Sequence, residues 1–244
     1  MHFPFARWKN SVTSFDPSQL PAVQAWIDAS NSGSVSLSGS LVTQINDLTS
    51  NGNNATQGTM ANQFTYATNV QNGLNALLGD NLRFLQFANQ QPSGPFLSIA
   101  ALVQTPSSFI NNAYIIESVG NSPLYVNGGT ARVVSEFSQI SGDPFVTYSS
   151  LSASTWYRIF VIWDTTQVLP QDRQKLYINN IDVTNYGGNA GSGSLPAAIT
   201  YIGDQHNNNT SWVGYIGEIV LTNAAFTLTD RNNLDSYWTT KWAI

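Results

Sequence analysis

TWYRIFVIWD (155–164), followed by KLYINNIDV (175–183), is the stretch that decides the fold. Side chains on a strand alternate between its two faces. Tyr157, Ile159, Val161 and Trp163 therefore share one face, and Trp156, Phe160 and Ile162 share the other with Arg158. Both faces are apolar, which marks a central strand covered on both sides. Between LYI and IDV stand Asn179 and Asn180. A two-residue hairpin needs positive φ there, and Asn tolerates it.

Similar runs extend in both directions. Residues 96–103, 114–119, 131–137, 199–202 and 215–221 are β-branched or aromatic, and each is bounded by Gly, Pro, Asn or Ser. The chain has only three Glu and three Lys, and no Ala-Leu-Glu-Lys stretch from which helices are usually made. Many short strands with no helical period between them predict antiparallel sheets packed face to face. One helix is expected at the end, capped by Thr229 and carrying Leu234, Tyr237, Trp238, Lys241 and Trp242 at helical spacing. Residues 1–20 show no period and read as an arm, leaving residues 21–244 as one domain; GGNAGSGS (187–194) reads as a loop within it.

Composition narrows the function classes. With 244 residues the chain can bury a core without disulfides, and the absence of Cys excludes thiol chemistry and Cys-ligated metal. Charged residues are 9% of the chain and the net charge is −5, so the basic footprint of a nucleic-acid binder is missing. No apolar stretch approaches the roughly 18–20 residues of a membrane span, and the start lacks the apolar core of a signal peptide. The expected surface is rich in amides, hydroxyls and rings, which suits uncharged, hydroxylated ligands.

Three segments, taken in order, resemble the laminin G-like, concanavalin A-like jelly rolls, especially those of bacteriophage and bacterial surface proteins. AWIDAS (25–30) with INDLTSNGNNATQ (45–57) is similar to that family's opening strand and turn, departing from it at Ile45 and Leu48-Thr49. The central pair quoted above is similar to its paired strands, with Asn180 in place of the usual Gly. YIGD (201–204), WVGYIGEIVL (212–221) and LDSYWTTKWAI (234–244) resemble its closing strand and helix. The resemblance implies an all-β, antiparallel two-sheet jelly-roll sandwich with a short C-terminal helix. Function it implies only loosely, because one fold hosts lectins, glycosidases, adhesion modules and virion parts.

Catalysis finds little support in the residue pattern. A retaining glycosidase needs two carboxyl groups about 5–5.5 Å apart, and no acid-x-acid pattern on a strand supplies them; such a pair could come only from separate strands. Asp28 and Glu218 read as structural acceptors. A Ser-His-Asp triad would have to use His2 or His206, one in the arm and one in an Asn-rich loop. The expectation is a chain that is not an enzyme.

Ligand-binding candidates are loops that offer a ring beside amides. The loop DQHNNNTSW (204–212) supplies Asp204, His206, Asn207, Asn208 and Trp212, and the hairpin YVNGGT (125–130) supplies Tyr125 and Asn127. An equally open reading puts Trp212 in the core and the Asn in solvated turns; Trp156, Trp163 and Trp242 are assigned to the core. No cofactor is expected apart from calcium at Asp47, Asn51 and Asn53, where a single acid is as readily explained by turn chemistry. The resulting expectation is a bacteriophage virion component, made in the host cytoplasm, that adheres to a host-surface glycan. A purely structural decoration and a glycoside hydrolase-like enzyme are the alternatives. The arm aromatics Phe3, Phe5, Trp8 and Phe15 would dock other virion proteins, and further copies of the chain would raise avidity.

Overall fold

The computed structural model describes residues 14–90, 93–109, 112–118, 121–136, 145–169, 172–187, 195, 198–203 and 210–244. Its strands are β1 (Val23–Asp28), β2 (Val35–Ser38), β3 (Leu41–Ile45), β4 (Ala55–Thr56), β5 (Thr65–Gln71) and β6 (Leu74–Asp80). Next come β7 (Leu85–Gln90), β8 (Phe96–Gln104), β9 (Ala113–Ser118), β10 (Asn121–Asn127), β11 (Arg132–Glu136) and β12 (Phe145–Ser149). The last six are β13 (Trp156–Asp164), β14 (Gln174–Ile178), β15 (Ile181–Asp182), β16 (Asn185–Gly187), β17 (Ile199–Ile202) and β18 (Val213–Thr222), followed by helix α1 (Leu228–Trp242). That helix is neither long nor apolar enough to cross a membrane, and no other described helix is.

The strands pair antiparallel and lie in two layers. In the first, β13 runs beside β8 over nine residues, β8 beside β18, and β18 beside both β6 and β1. In the second, β7 pairs with β17, β17 with β9, and the ladder continues through β10, β11 and β12 to β16. Among the described residues a single pairing, Leu41 with Thr65, joins the layers at one edge. The all-β sandwich with one C-terminal helix is the architecture that the sequence indicated.

The layers meet over a continuous apolar core. Tyr157, Ile159, Val161 and Trp163 of β13 enter it from the first sheet, and Ile115, Leu124, Val126, Val133 and Val146 enter from the second. Phe160 and Ile162 face the opposite way and are covered by Leu234, Trp238 and Trp242 of α1, so β13 is covered on both sides as its composition requires. Four of the largest fully buried side chains are Trp163, Trp212, Trp238 and Trp242. A buried ring of this size removes about 150–250 Å² from water, and at ~25 cal/mol per Å² that is about 4–6 kcal/mol before ordering entropy. A 15-residue helix is marginal alone, so it is this burial that holds α1 in place.

Two local readings shift. The helix is capped by Thr227, not Thr229: the Thr227 side chain accepts from Asp230 N, while the Asp230 carboxylate accepts from Thr227 N. Asp230 is what makes the earlier threonine the better cap, because its charge also favours the first turn. The arm, placed at residues 1–20, is described from residue 14 onward, and that part does not project. Phe15 meets Tyr237 edge-on at 6.3 Å between centroids, and Pro17 and Leu20 are buried. Phe15 thus has a partner within the chain, whereas Phe3, Phe5 and Trp8 lie outside the described residues.

Candidate functional site

The second sheet turns one face inward and one outward. Since Val126, Val133 and Val146 enter the core, their neighbours Tyr125, Val134 and Phe145 face out and, with Tyr114, form a separate apolar cluster. Ladder register arranges this outer face in rows. Tyr114 opposes Tyr125, Tyr125 opposes Val134, and Val134 opposes Thr147. On one side of that row lies Asn127–Arg132–Ser149, and on the other Glu136–Phe145–Gly187. Gly187 leaves room for the Phe145 ring, which passes 2.4 Å from the place a Cβ would take.

The two tyrosines form the floor. Their rings stack with centroids 5.1 Å apart, and they are only 4% and 7% exposed. The Tyr125 hydroxyl donates to Glu136 Oε1 at 2.6 Å. Burial, and then the Glu136 carboxylate, push the Tyr125 phenol up, so it stays protonated and acts as a donor that fixes the carboxylate. Glu136, Phe145, Asn127 and Arg132 are half-buried, and Ser149 is exposed. The face therefore offers an accessible ring next to a positioned acceptor, with an amide, a guanidinium and hydroxyls around them.

Of the sequence-selected residues, Tyr125 and Asn127 lie on this face, Tyr125 as floor. Asp204, His206, Asn207 and Asn208 lie outside the described residues. The residues that follow them lie beside Tyr114: Tyr114 N donates to Thr210 O at 2.8 Å, and Ser211 bridges Tyr114. Trp212 is a correction. It is fully buried in the inter-sheet core, its indole Nε1 donating to Tyr215 O at 3.3 Å, so its ring is packed between the sheets and away from any ligand. Glu136 was missed, although the alternation of 131–137 sets it on one face of its strand; Phe145 was missed because its place beside Glu136 follows only from the register of β11 with β12.

At Asp47 the geometry favours turn chemistry over a cation. Its carboxylate accepts from Trp26 N, Thr49 N, Thr49 Oγ1 and Asn53 N at 2.7–3.0 Å, so its oxygens are ringed by donors. Asn51 and Asn53 turn their amide nitrogens onto β1 carbonyls, at Val23 and Gln24. Among the described residues no three His, Cys, Asp or Glu side chains gather as metal ligands.

A second constellation was not foreseen. Asp28 of β1 stands opposite Glu218 of β18, and Lys241 Nζ donates to Asp28 Oδ2 at 2.7 Å and to Glu218 Oε1 at 2.8 Å. The indoles of Trp26 and Trp242 also donate to Glu218, at 2.9 and 2.7 Å. Burial first, then the Asp28 charge, raises the Glu218 pKa, while the two carboxylates hold Lys241 up and charged. Gly217 sits in a bulge of β18 where the Trp242 ring passes at 3.0 Å from the place of a Cβ. Lys241 and Tyr237 also line a cleft of about 390 Å³ with Phe15, Ser236 and Thr240. The carboxyl groups lie behind them, with Glu218 0% and Asp28 4% exposed.

No family model matches the sequence, and no curated protein matches closely enough to count as a relative. Solved structures do match. Trypanosoma rangeli sialidase is 11% identical with a TM-score of 0.55, over 86% of this chain and 32% of that one. Domain 4 of AbnA, a GH43 extracellular arabinanase from Geobacillus stearothermophilus solved with arabinotriose, is 14% identical with a TM-score of 0.53, over 87% of this chain and 98% of that one. This chain spans about a third of the sialidase's length. At such identity the likeness shows the fold, and it lends no support to the narrower laminin G-like and bacteriophage assignment.

The expectation that the chain is not an enzyme is overturned. It rested on the lack of an acid-x-acid pattern and on a fold read as adhesive; solved structures that share the fold belong to glycosidase chains, while Asp28 and Glu218, though cross-strand neighbours, are buried and held by Lys241. The pair escaped notice because its members lie at opposite ends of the chain, on neighbouring strands that no local spacing connects.

Proposed function

We propose that this chain is a carbohydrate-recognition domain whose ligand lies on the outer face of the second sheet, across Phe145 and Glu136. The observation that carries the reading is the half-buried Phe145 ring paired across strands with a carboxylate that Tyr125 holds in place. A ring supplies flat apolar area to a sugar face, and a fixed carboxylate accepts directed hydrogen bonds from sugar hydroxyls. The arabinanase domain adds support: it covers nearly its whole length in the comparison and was solved with a trisaccharide. Titration with a panel of oligosaccharides tests the reading. Binding that Phe145→Ala weakens about tenfold or more is expected, whereas a silent panel would sink it. Reducing-end release is followed on the same ligands, since the fold is shared with glycosidase chains.

The finer setting, a bacteriophage virion component that meets a host-surface glycan and docks through its first residues, belongs to this proposal. Its support is the sequence resemblance and the aromatic content of residues 1–13. Particles assembled with a chain from which residues 1–13 have been deleted should lack the domain, and normal incorporation would count against that setting.

A further inference from the structure

Arg132 stands apart from the other described cations. Arg83, Arg158, Lys175 and Lys241 each have a carboxylate oxygen within 3.3 Å. Arg231 lies 3.6 Å over the Tyr177 ring and donates to Asn180, and Arg173 donates to the Gln167 carbonyl. Arg132 has no ion pair among the described residues, and its Nε is buried with no hydrogen-bond partner. A covered cationic donor without an acceptor costs free energy, and the chain has fourteen acids for nine cations, yet none of the described acids forms an ion pair with it.

What surrounds Arg132 is polar and open. Asn127 opposes it on β10 and Ser149 on β12, one an amide and the other an exposed hydroxyl. Its charge reaches the Tyr125 phenol, where it works against the raising effect of burial. Glu136, four residues further along the same face of β11, is about 13 Å away by strand rise. One end of the face is therefore cationic and the other anionic, separated by the length of a short oligosaccharide.

We propose that the Asn127–Arg132–Ser149 row is a subsite for an anionic substituent of the glycan, a sugar carboxylate or sulfate, while neutral sugar lies over Phe145 and Glu136. This rests on the carbohydrate reading above and names the ligand class for it. The guanidinium fork matches either anion with paired hydrogen bonds. The Glu136 end repels the same charge. The two ends together fix the direction in which a chain with a single acidic residue lies on the sheet, and they disfavour a polymer charged at every residue.

Isothermal titration with tetrasaccharides ending in one glucuronate, their sulfated analogues and their carboxyl-reduced counterparts tests it. The anionic ligands should bind about tenfold tighter than the reduced ones, and comparison of carboxylate with sulfate identifies which source the site takes. That preference should shrink as salt is raised and fall to about one in Arg132→Met, with Arg132→Lys intermediate. Equal affinity for charged and reduced ligands in the wild type, or a preference that survives Arg132→Met, overturns the subsite while leaving carbohydrate binding intact. If no tetrasaccharide binds, the carbohydrate reading fails and the subsite with it. Should Arg132→Met not fold, the salt dependence and the charged-to-reduced ratio of the wild type still decide.

Discussion

The two outer faces of the sandwich treat charge in opposite ways. On the first sheet, Asp28, Glu218 and Lys241 are gathered under the C-terminal helix, each bonded to another and shielded by indoles. On the second, Arg132 and Glu136 are kept apart on one strand, half-exposed, with rings between them. Mutual satisfaction suits a joint that must not open. Separation leaves each group able to act on something else. The difference teaches that charged side chains gathered together close a joint while those held apart stay available, and the following substitutions test that division.

The largest effect is expected from Lys241→Met, which leaves two buried carboxyl groups without their cation. Breaking a buried pair in this way costs about 3–5 kcal/mol, read by denaturant unfolding. The loss should be greater at pH 8 than at pH 4, because protonation relieves the orphaned acids. In the wild type folding raises the Glu218 pKa. Between the ordinary carboxylate range and that raised value, the folded state holds a proton which the unfolded chain has released, so stability falls as pH climbs through the window. Glu218→Gln should flatten that fall, and an unchanged pH profile would show that Glu218 does not titrate there.

A smaller loss, about 1 kcal/mol, is expected from Thr227→Ala, which removes the side-chain cap; thermal unfolding measures it. The smallest stability change belongs to the other face. Glu136→Gln keeps an acceptor for the Tyr125 hydroxyl and should alter stability by less than about 0.5 kcal/mol, while still weakening glycan binding in titration. If Glu136→Gln proved as damaging to folding as Lys241→Met, the division between the two faces would collapse.

How much of this was legible depended on range. The double-sided burial of β13, the Asn179-Asn180 turn with φ of +50° and +63°, and the helix with Leu234, Trp238 and Trp242 on one side are local patterns, and the sequence displays them. Even the helix cap was displaced by only two residues, because two threonines competed and only Asp230 distinguishes them. The acid pair could not be read in this way: β1 meets β18 only through the topology, and cross-strand neighbours carry no mark of their partner. The outer face of the second sheet fell between these cases. Tyr125 and Asn127 were picked for a hairpin, but which side of the sheet they share with Phe145 follows from register, which a one-residue slip would reverse. Trp212 misled because rings in Asn-rich loops and rings that end such loops in the core look alike in sequence.

The position of β18 also bears on how the chain acquires its structure. This strand follows every other described strand in the chain, yet it inserts in the middle of the first sheet, between β8 on one side and β6 and β1 on the other. Until residue 222 has left the ribosome, β8 and β1 lack the strand that pairs with their backbone edges, and Asp28 waits for an ammonium 213 positions downstream. A nascent chain of this kind is exposed to edge-to-edge association until β18 emerges, and the insertion of that strand is the step that removes the hazard.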